Sequence, residues 1–499
     1  MVLSFIKRIL TCTFLFFFGV IFFLMIFRMP TVIFIAYVAL ASVLVNRIGD
    51  RGFIIFIILG SFLIRLAYIS IINTPLESDF KLLYDAAVLF SQGDYSFNQQ
   101  VYFQEWGYQT GFVIYQGMVV RVFGQAGGIT ALKVLNCFWN TGITLLVYLI
   151  ARNFFNEKPS RLASVLYSGF VFPITFVSVL SNQHISTFLI LLSLYFLIDQ
   201  RLIRMRRVPR GFIGGFLLAL GNIMRPEGLV VVTSLMVYFL VLFFSADKKW
   251  RRMERIAQCL VVVLIYLAVN GLASRAIIKS GINDQGLMNN NVYWKFVVGL
   301  NYESKGSYNE KDYKLMYESN LSLEEKKELQ KELILKRLGI NPLKLANLFM
   351  LKIQTMWCDS ALDWSYKHIL MSNKVVYLFS NPVKFSDIDA VLKDLNELYI
   401  YTAIGLSLLG MLTRWKSQMK DGLLIPVTIL VISFVIYLFI EVQPRYAYLQ
   451  QPFMFILSGA GLEILLCRIN AFNLKQVWAR LWECAKERSE QEHRTKMVK

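Results

Sequence analysis

The stretch NTPLESDFKLLYDAAVLFSQGDYSFNQQVYFQEWGYQT, Asn73 to Thr110, lies between two apolar runs that read as membrane-spanning. It sets Glu77, Asp79 and Asp85 just past the end of a hydrophobic helix, with aromatic residues following at short intervals. A chain this apolar has little physical reason to hold acids and aromatics there unless something polar binds at that membrane face.

Working outward from this loop, the 499-residue chain is 56% hydrophobic and 15% aromatic, with a mean hydropathy of +0.52. Apolar runs of about 18 or more residues recur along its length. The expected fold is all-α, a polytopic membrane protein. Twelve spans are placed at 9–27, 31–46, 53–72, 130–150, 162–178, 185–198, 211–223, 229–245, 256–276, 399–413, 423–440 and 450–467. Lys7 and Arg8 precede the first apolar run, which is too long for a signal-peptide core and reads as a retained anchor.

The net charge of +19 could suggest nucleic acid, but its placement points elsewhere. With the N-terminus inside, the segments on the cytoplasmic side carry +18 of it. That asymmetry is the positive-inside rule, so the basic surplus encodes orientation in a lipid bilayer and argues against a nucleic-acid partner. Both termini are expected to be cytoplasmic. The six cysteines are scattered with no CxxC pair, and three histidines (His184, His368, His493) give little basis for a metal centre. No metal or cofactor is expected.

The chain divides into two N-terminal spans (1–52), a transmembrane core (53–278) with the loop 73–129, a large outer loop (279–398), C-terminal spans (399–467) and a basic tail (468–499). That tail carries Trp478 and Trp482 and is expected on the inner leaflet. Within the first loop, Phe80, Leu83, Ala87 and Phe90 recur near helical spacing, and Gly93 can end a surface helix begun at Asp79. Phe112 to Phe123, with Arg121 inside it, is too short to span and reads as a second interfacial helix. In the large loop Leu321 to Leu338 reads as a charged, solvated helix, Ser322 its N-cap and Glu325 three residues on; Asn341-Pro342 reads as a turn.

Asp79 is the leading candidate for chemistry. A carboxylate at the bilayer boundary is costly to desolvate unless paired or used, and such a setting raises its basicity, so it could take a proton from an acceptor hydroxyl. The plainer alternative is that Glu77, Ser78 or Asp79 caps the surface helix. In MRPEG, Met224 to Gly228, Arg225 could bind a phosphate with Glu227 orienting it. Equally, the pair could staple a Pro/Gly hairpin turn. In EVQPRY, Glu441 to Tyr446, Arg445 is the strongest candidate for an anionic headgroup, although Arg445 and Tyr446 could simply anchor the membrane interface. Ser181-Asn182-Gln183-His184 is expected to face outward, and a lone histidine is more often structural. Arg65, in mid-span, needs a partner or an aqueous cleft. Asn301 to Ser307, Trp357 and Asp359 could line a pocket or form an ordinary loop. Glu77, Arg225, Glu227, Arg445, Tyr446 and His184 are thus the candidate substrate-binding residues beside Asp79.

Taken together, SDFKLLYDAAVLFSQGDY, RPEG at 225–228, VVGLNYESKGSYN at 297–309 and EVQPRYAYLQQPF at 441–453 resemble the GT-C superfamily of integral-membrane glycosyltransferases. The similarity is to the branch of protein O-mannosyltransferases and the aminoarabinose transferase of lipid A. It runs over about residues 53–467. The resemblance implies a polyprenyl-phosphate sugar donor, an outward-facing acceptor that is a glycan, lipid or protein, and a plasma-membrane location. It implies Asp79 as general base, Arg445 against the donor phosphate and Arg225 as a secondary contact. Two spans precede the usual first one, and SNQH stands where the family often shows a second acid. A polysaccharide polymerase or ligase would share the lipid-linked donor. A twelve-span transporter fits less well, because the halves show no symmetry and the large loops fall on one side.

Overall fold

A computed structural model describes residues 2–25, 48–198, 205–245, 249–317, 321–359, 362–366, 375–378, 381–414 and 421–471. The span expected at 31–46 and the tail beyond residue 471 lie outside the described residues. The fold is all-α and multi-span. Helices α1 (Val2–Met25), α2 (Asp50–Ile71) and α3 (Ser78–Ser91) lead through α4 (Val101–Glu105) to the long α5 (Thr110–Ala151). Then follow α6 (Glu157–Gly169), α7 (Val171–Phe176), α8 (Gln183–Ile198), α9 (Arg207–Met224), α10 (Gly228–Ser245) and α11 (Lys249–Lys279). Six helical stretches among the described residues are long and apolar enough to cross a membrane: Phe5–Phe23, Asp50–Ile71, Gly107–Ala151, Arg252–Lys279, Ser386–Arg414 and Asp421–Phe439.

The large loop is not a bare linker. It folds into α12 (Val292–Gly299), α13 (Glu310–Tyr317), α14 (Leu323–Leu338) and α15 (Pro342–Ile353), with a short hairpin pairing Val375–Leu378 and Asn381–Lys384. Helices α16 (Phe385–Arg414), α17 (Leu424–Phe439) and α18 (Gln451–Ala471) complete the bundle.

Local chemistry explains several boundaries. Ser322 and Glu325 form a reciprocal capping box at the start of α14, each satisfying a backbone donor of the first turn. Asn341-Pro342 does not make a turn. The Asn341 side chain accepts from the Leu343 amide and Pro342 occupies the first turn, so the pair starts α15. The surface segment Phe112–Phe123 is continuous with the span that follows, bent at Gly124, where φ is 72°. The span expected at 162–178 is broken at Phe170 into α6 and α7.

Burial concentrates where α5, α6, α7, α16, α17 and α18 meet, around Tyr148, Tyr167, Phe170, Phe455 and Leu430. Phe170 packs on Phe455, centroids 5.2 Å apart, and Tyr167 meets the same ring edge-on at 5.4 Å. A second apolar cluster joins α3 to the first half of α5 through Leu83, Ala87, Phe90, Phe112 and Val113. That packing lays the surface helix across the end of the bundle and holds its first turn, with Asp79, against the turn between α17 and α18.

Candidate functional site

The chain leaves α2 extended and turns sharply at Ser78, whose φ of 52° is uncommon for a residue with a Cβ. Helix α3 starts there. Glu77 occupies its N-cap position without a side-chain capping bond, and Asp79 sits in the first turn, where the helix dipole favours a negative charge. Asp79 is therefore not the cap. Its side chain is 51% exposed, and Oδ2 lies 3.9 Å from Nη2 of Arg445.

Arg445 comes from the short helical turn Pro444–Ala447 that joins α17 to α18. Its guanidinium lies over Trp364 at 4.8 Å, Phe80 at 4.9 Å and Tyr446 at 5.7 Å. Phe80 and Trp364 meet edge to face at 5.5 Å. Three rings thus strip water from a charge that cannot be given up, which strengthens its interaction with any anion nearby. Nε donates to Gln443 Oε1 at 2.8 Å, and the Arg445 carbonyl accepts from Gln183 Nε2 at 2.6 Å.

Tyr446, beside it, is surrounded by cations. Arg225 lies 5.6 Å and Lys295 5.5 Å from its ring centre. Arg225 closes on Glu227 at 2.5 Å and donates to Asn182 Oδ1 at 3.2 Å. Asn182 donates in turn to Gln109, and Gln109 to the Tyr102 hydroxyl, both at 3.2 Å. Lys295, from α12, pairs with Glu441 and reaches the Tyr446 hydroxyl at 3.4 Å. Burial works against the Lys295 charge, but Tyr446 and Glu441 outweigh it and hold the ammonium well above its ordinary value. Glu441 is shifted the other way: burial disfavours its charge, Lys295 more than compensates, and the carboxylate is lowered.

The turn is also clasped from the large loop. The Glu441 amide donates to the Lys295 carbonyl at 2.8 Å, the Val442 amide to the Gly306 carbonyl at 3.0 Å, and Ser307 Oγ to the Val442 carbonyl at 3.0 Å. Asn301 to Ser307 is thus a seat for this turn. Gly299 permits the approach: a Cβ there would fall 2.2 Å from the carbonyl carbon of Ile440.

Asp79, Arg445, Tyr446, Arg225 and Glu227 are therefore brought together, and Glu77 adjoins them. His184 is not brought with them, a correction to its place among the substrate-binding candidates and in keeping with the structural alternative. Its ring is fully buried, with Nδ1 2.7 Å from the Tyr448 hydroxyl and Nε2 3.1 Å from the Phe176 carbonyl. A carbonyl only accepts, so Nε2 carries the proton and Nδ1 accepts from Tyr448. Asn140 Nδ2 donates to that same hydroxyl, and Arg65 Nε donates to Asn140 Oδ1 at 2.9 Å. Arg65 thus finds amide and hydroxyl partners, and His184 ends a buried chain of hydrogen bonds beneath the Arg445 turn. Trp357 is likewise core, packed on Phe18 and Phe434.

Sequence reasoning missed Lys295, Trp364, Tyr102 and Gln109. Lys295 and Trp364 come from short segments of the large loop with no charge pattern to mark them. Tyr102 and Gln109 lie in the opening stretch, where aromatic density was the signal.

Residues 112–272 match the family model described as dolichyl-phosphate-mannose-protein mannosyltransferase. That match bears out the resemblance to the GT-C superfamily. It covers Arg225 and Glu227 but neither Asp79 nor Arg445. No curated protein matches the chain. Among solved structures, the chain is similar to the archaeal oligosaccharyltransferase AglB from Archaeoglobus fulgidus in complex with an inhibitory peptide and a dolichol-phosphate. Identity there is 11%, 86% of this chain and 52% of that one are covered, and the TM-score is 0.47. The Archaeoglobus fulgidus oligosaccharyltransferase in its apo form is similar at 14% identity, 85% and 51% coverage and a TM-score of 0.46. The chain spans about half the length of these solved proteins.

Proposed function

We propose that the chain is a membrane glycosyltransferase that moves a sugar from a polyprenyl-phosphate donor to an acceptor hydroxyl on the extracytoplasmic face of the plasma membrane. The observation that carries this reading is the facing pair: a half-exposed carboxylate, Asp79, opposite a ring-shielded guanidinium, Arg445, at the end of a membrane bundle. The matched mannosyltransferase family supports the reaction class.

In this reading Asp79 takes the proton of the acceptor hydroxyl as its oxygen attacks the anomeric carbon. The bond from that carbon to the phosphate oxygen breaks, and its electron pair leaves on the phosphate. Arg445 stabilises the charge arriving there, in place before the reaction and held by Phe80 and Trp364. Arg225, kept in position by Glu227 and Asn182, is the second cation within reach. The lipid tail lies among the spans while its sugar reaches the loops.

The test is reconstitution of the full chain in proteoliposomes with radiolabelled polyprenyl-monophosphate sugars, alongside extraction of lipid-linked sugars from cells lacking it. Release of polyprenyl phosphate, together with accumulation of an unused lipid-linked monosaccharide in those cells, is the expected result. Consumption of a diphosphate-linked oligosaccharide instead would replace the proposal with a polymerase or ligase.

A further inference from the structure

Lys352, in the last turn of α15, has no role in the chemistry above, yet it occupies an expensive position. It is 1% exposed, and among the described residues its ammonium has no carboxylate within ion-pair distance. Lysine is almost never buried this deeply without a pairing partner. What it meets is backbone. Nζ donates to the carbonyls of Gly299 at 2.6 Å, Leu438 at 2.7 Å and Ile440 at 2.9 Å. Three protons meet three acceptors.

Those acceptors are not arbitrary. Gly299 ends α12, while Leu438 and Ile440 flank the end of α17, so one ammonium serves the C-termini of two helices. The last carbonyls of a helix lack intrahelical donors and carry the negative end of its dipole, which makes a cation the favoured partner. The lysine stem is seated as closely as its head. Gly306 has φ of 77°, and a Cβ there would fall 2.7 Å from Lys352 Cδ. Two residues beyond Ile440 the chain is clasped again through Val442, and then it enters the turn that carries Arg445.

We infer that Lys352 is a positioning residue that locks the large loop onto the end of α17 and so sets where Arg445 stands. The inference rests on the proposed role of Arg445. Its consequence is specific: losing the ammonium strands three buried acceptors at one place and loosens the chain from Ile440 to Tyr446, while the rest of the bundle is unaffected.

Hydrogen exchange on the full chain in lipid nanodiscs tests this, with Lys352→Met against wild type. The amides of Glu441 and Val442 are expected to exchange at least about tenfold faster, since each of the three stranded acceptors costs a factor of about five or more. Protection in α6 and α18 is expected to stay unchanged, and the KM for a polyprenyl-phosphate sugar to rise while that for the acceptor does not. Unchanged exchange at Glu441 and Val442, or a uniform rise through every helix, overturns the inference. If Lys352→Met does not fold, Gly306→Ala keeps the lysine and removes its seat; the same local rise is expected, and its absence is equally decisive against it. Faster local exchange with donor KM and turnover unchanged leaves the lock standing and removes Arg445 from the reaction, so the two readings fail separately.

Discussion

Replacing Asp79 by Asn separates a catalytic carboxylate from a structural one, because the structure assigns them losses of different size. The side chain is half exposed, makes no capping bond, and meets Arg445 only at 3.9 Å. An ion pair of that kind contributes about 1 kcal/mol at most. Asn is isosteric and neither overpacks nor leaves a cavity, so the unfolding midpoint should move by only about 2 °C. As general base, the same carboxylate contributes a factor of roughly 10²–10⁴ to the rate, equivalent to about 3–5 kcal/mol in the barrier. The expectation is a near-complete loss of turnover in a protein that inserts, purifies and melts like wild type. The assay is sugar transfer from a labelled polyprenyl-phosphate donor in proteoliposomes, with thermal unfolding followed on the same preparation. Turnover equal to wild type removes Asp79 as base. A large fall in melting temperature accompanying the lost activity would instead show that the carboxylate matters to the fold of the loop.

Arg445→Lys keeps one positive charge but loses the planar contact with Phe80 and Trp364 and the Nε bond to Gln443; turnover should fall about 10²–10³-fold, as when a preplaced donor to a developing anion is removed, and a variant as active as wild type argues against donor contact there. Gly299→Ala places a methyl 2.2 Å from the Ile440 carbonyl carbon and 2.5 Å from the Phe439 oxygen, a backbone clash worth about 1–3 kcal/mol, visible as a lowered unfolding midpoint and a raised donor KM.

How much of this was legible in the sequence depended on the range of the interaction. Helix starts are local signals, and two of them stand where the sequence puts them: α3 begins within one residue of Asp79, and Ser322 caps α14. The break inside the apolar run from Leu162 to Ser178 leaves its mark not in hydropathy but in Gly169, which ends α6, and Pro173, in the first turn of α7. The three motifs that meet, around Asp79, Arg225 and Arg445, each stood out as charge at a span end. Lys295 and Lys352 did not, since both lie in a loop of nearly balanced charge where a lysine looks like solvated surface. Only the tertiary fold sets one against Tyr446 and buries the other against three carbonyls. As a substrate-binding candidate His184 fails for the opposite reason: its position at a span end is conspicuous, but its hydrogen bonds run inward, as the structural alternative requires.

In the segment Ser181 to His184, amides stand where the resembled family often shows a second acid. Its amides are occupied in holding the cations: Gln183 binds the Arg445 carbonyl, and Asn182 binds Arg225. Two of the other carboxylates gathered here are committed: Glu227 closes on Arg225, and Glu441 on Lys295. Asp79 has half its side chain open and faces Arg445. A pair of working carboxylates is what chemistry with an alkoxide leaving group requires, because that group must be given a proton as it departs. A phosphate departs as a stable anion and requires positive charge instead. An open carboxylate facing a fixed guanidinium, with two more cations around the neighbouring tyrosine, is what the proposed transfer from a lipid phosphate requires, and it is a poor arrangement for hydrolysing a glycosidic bond.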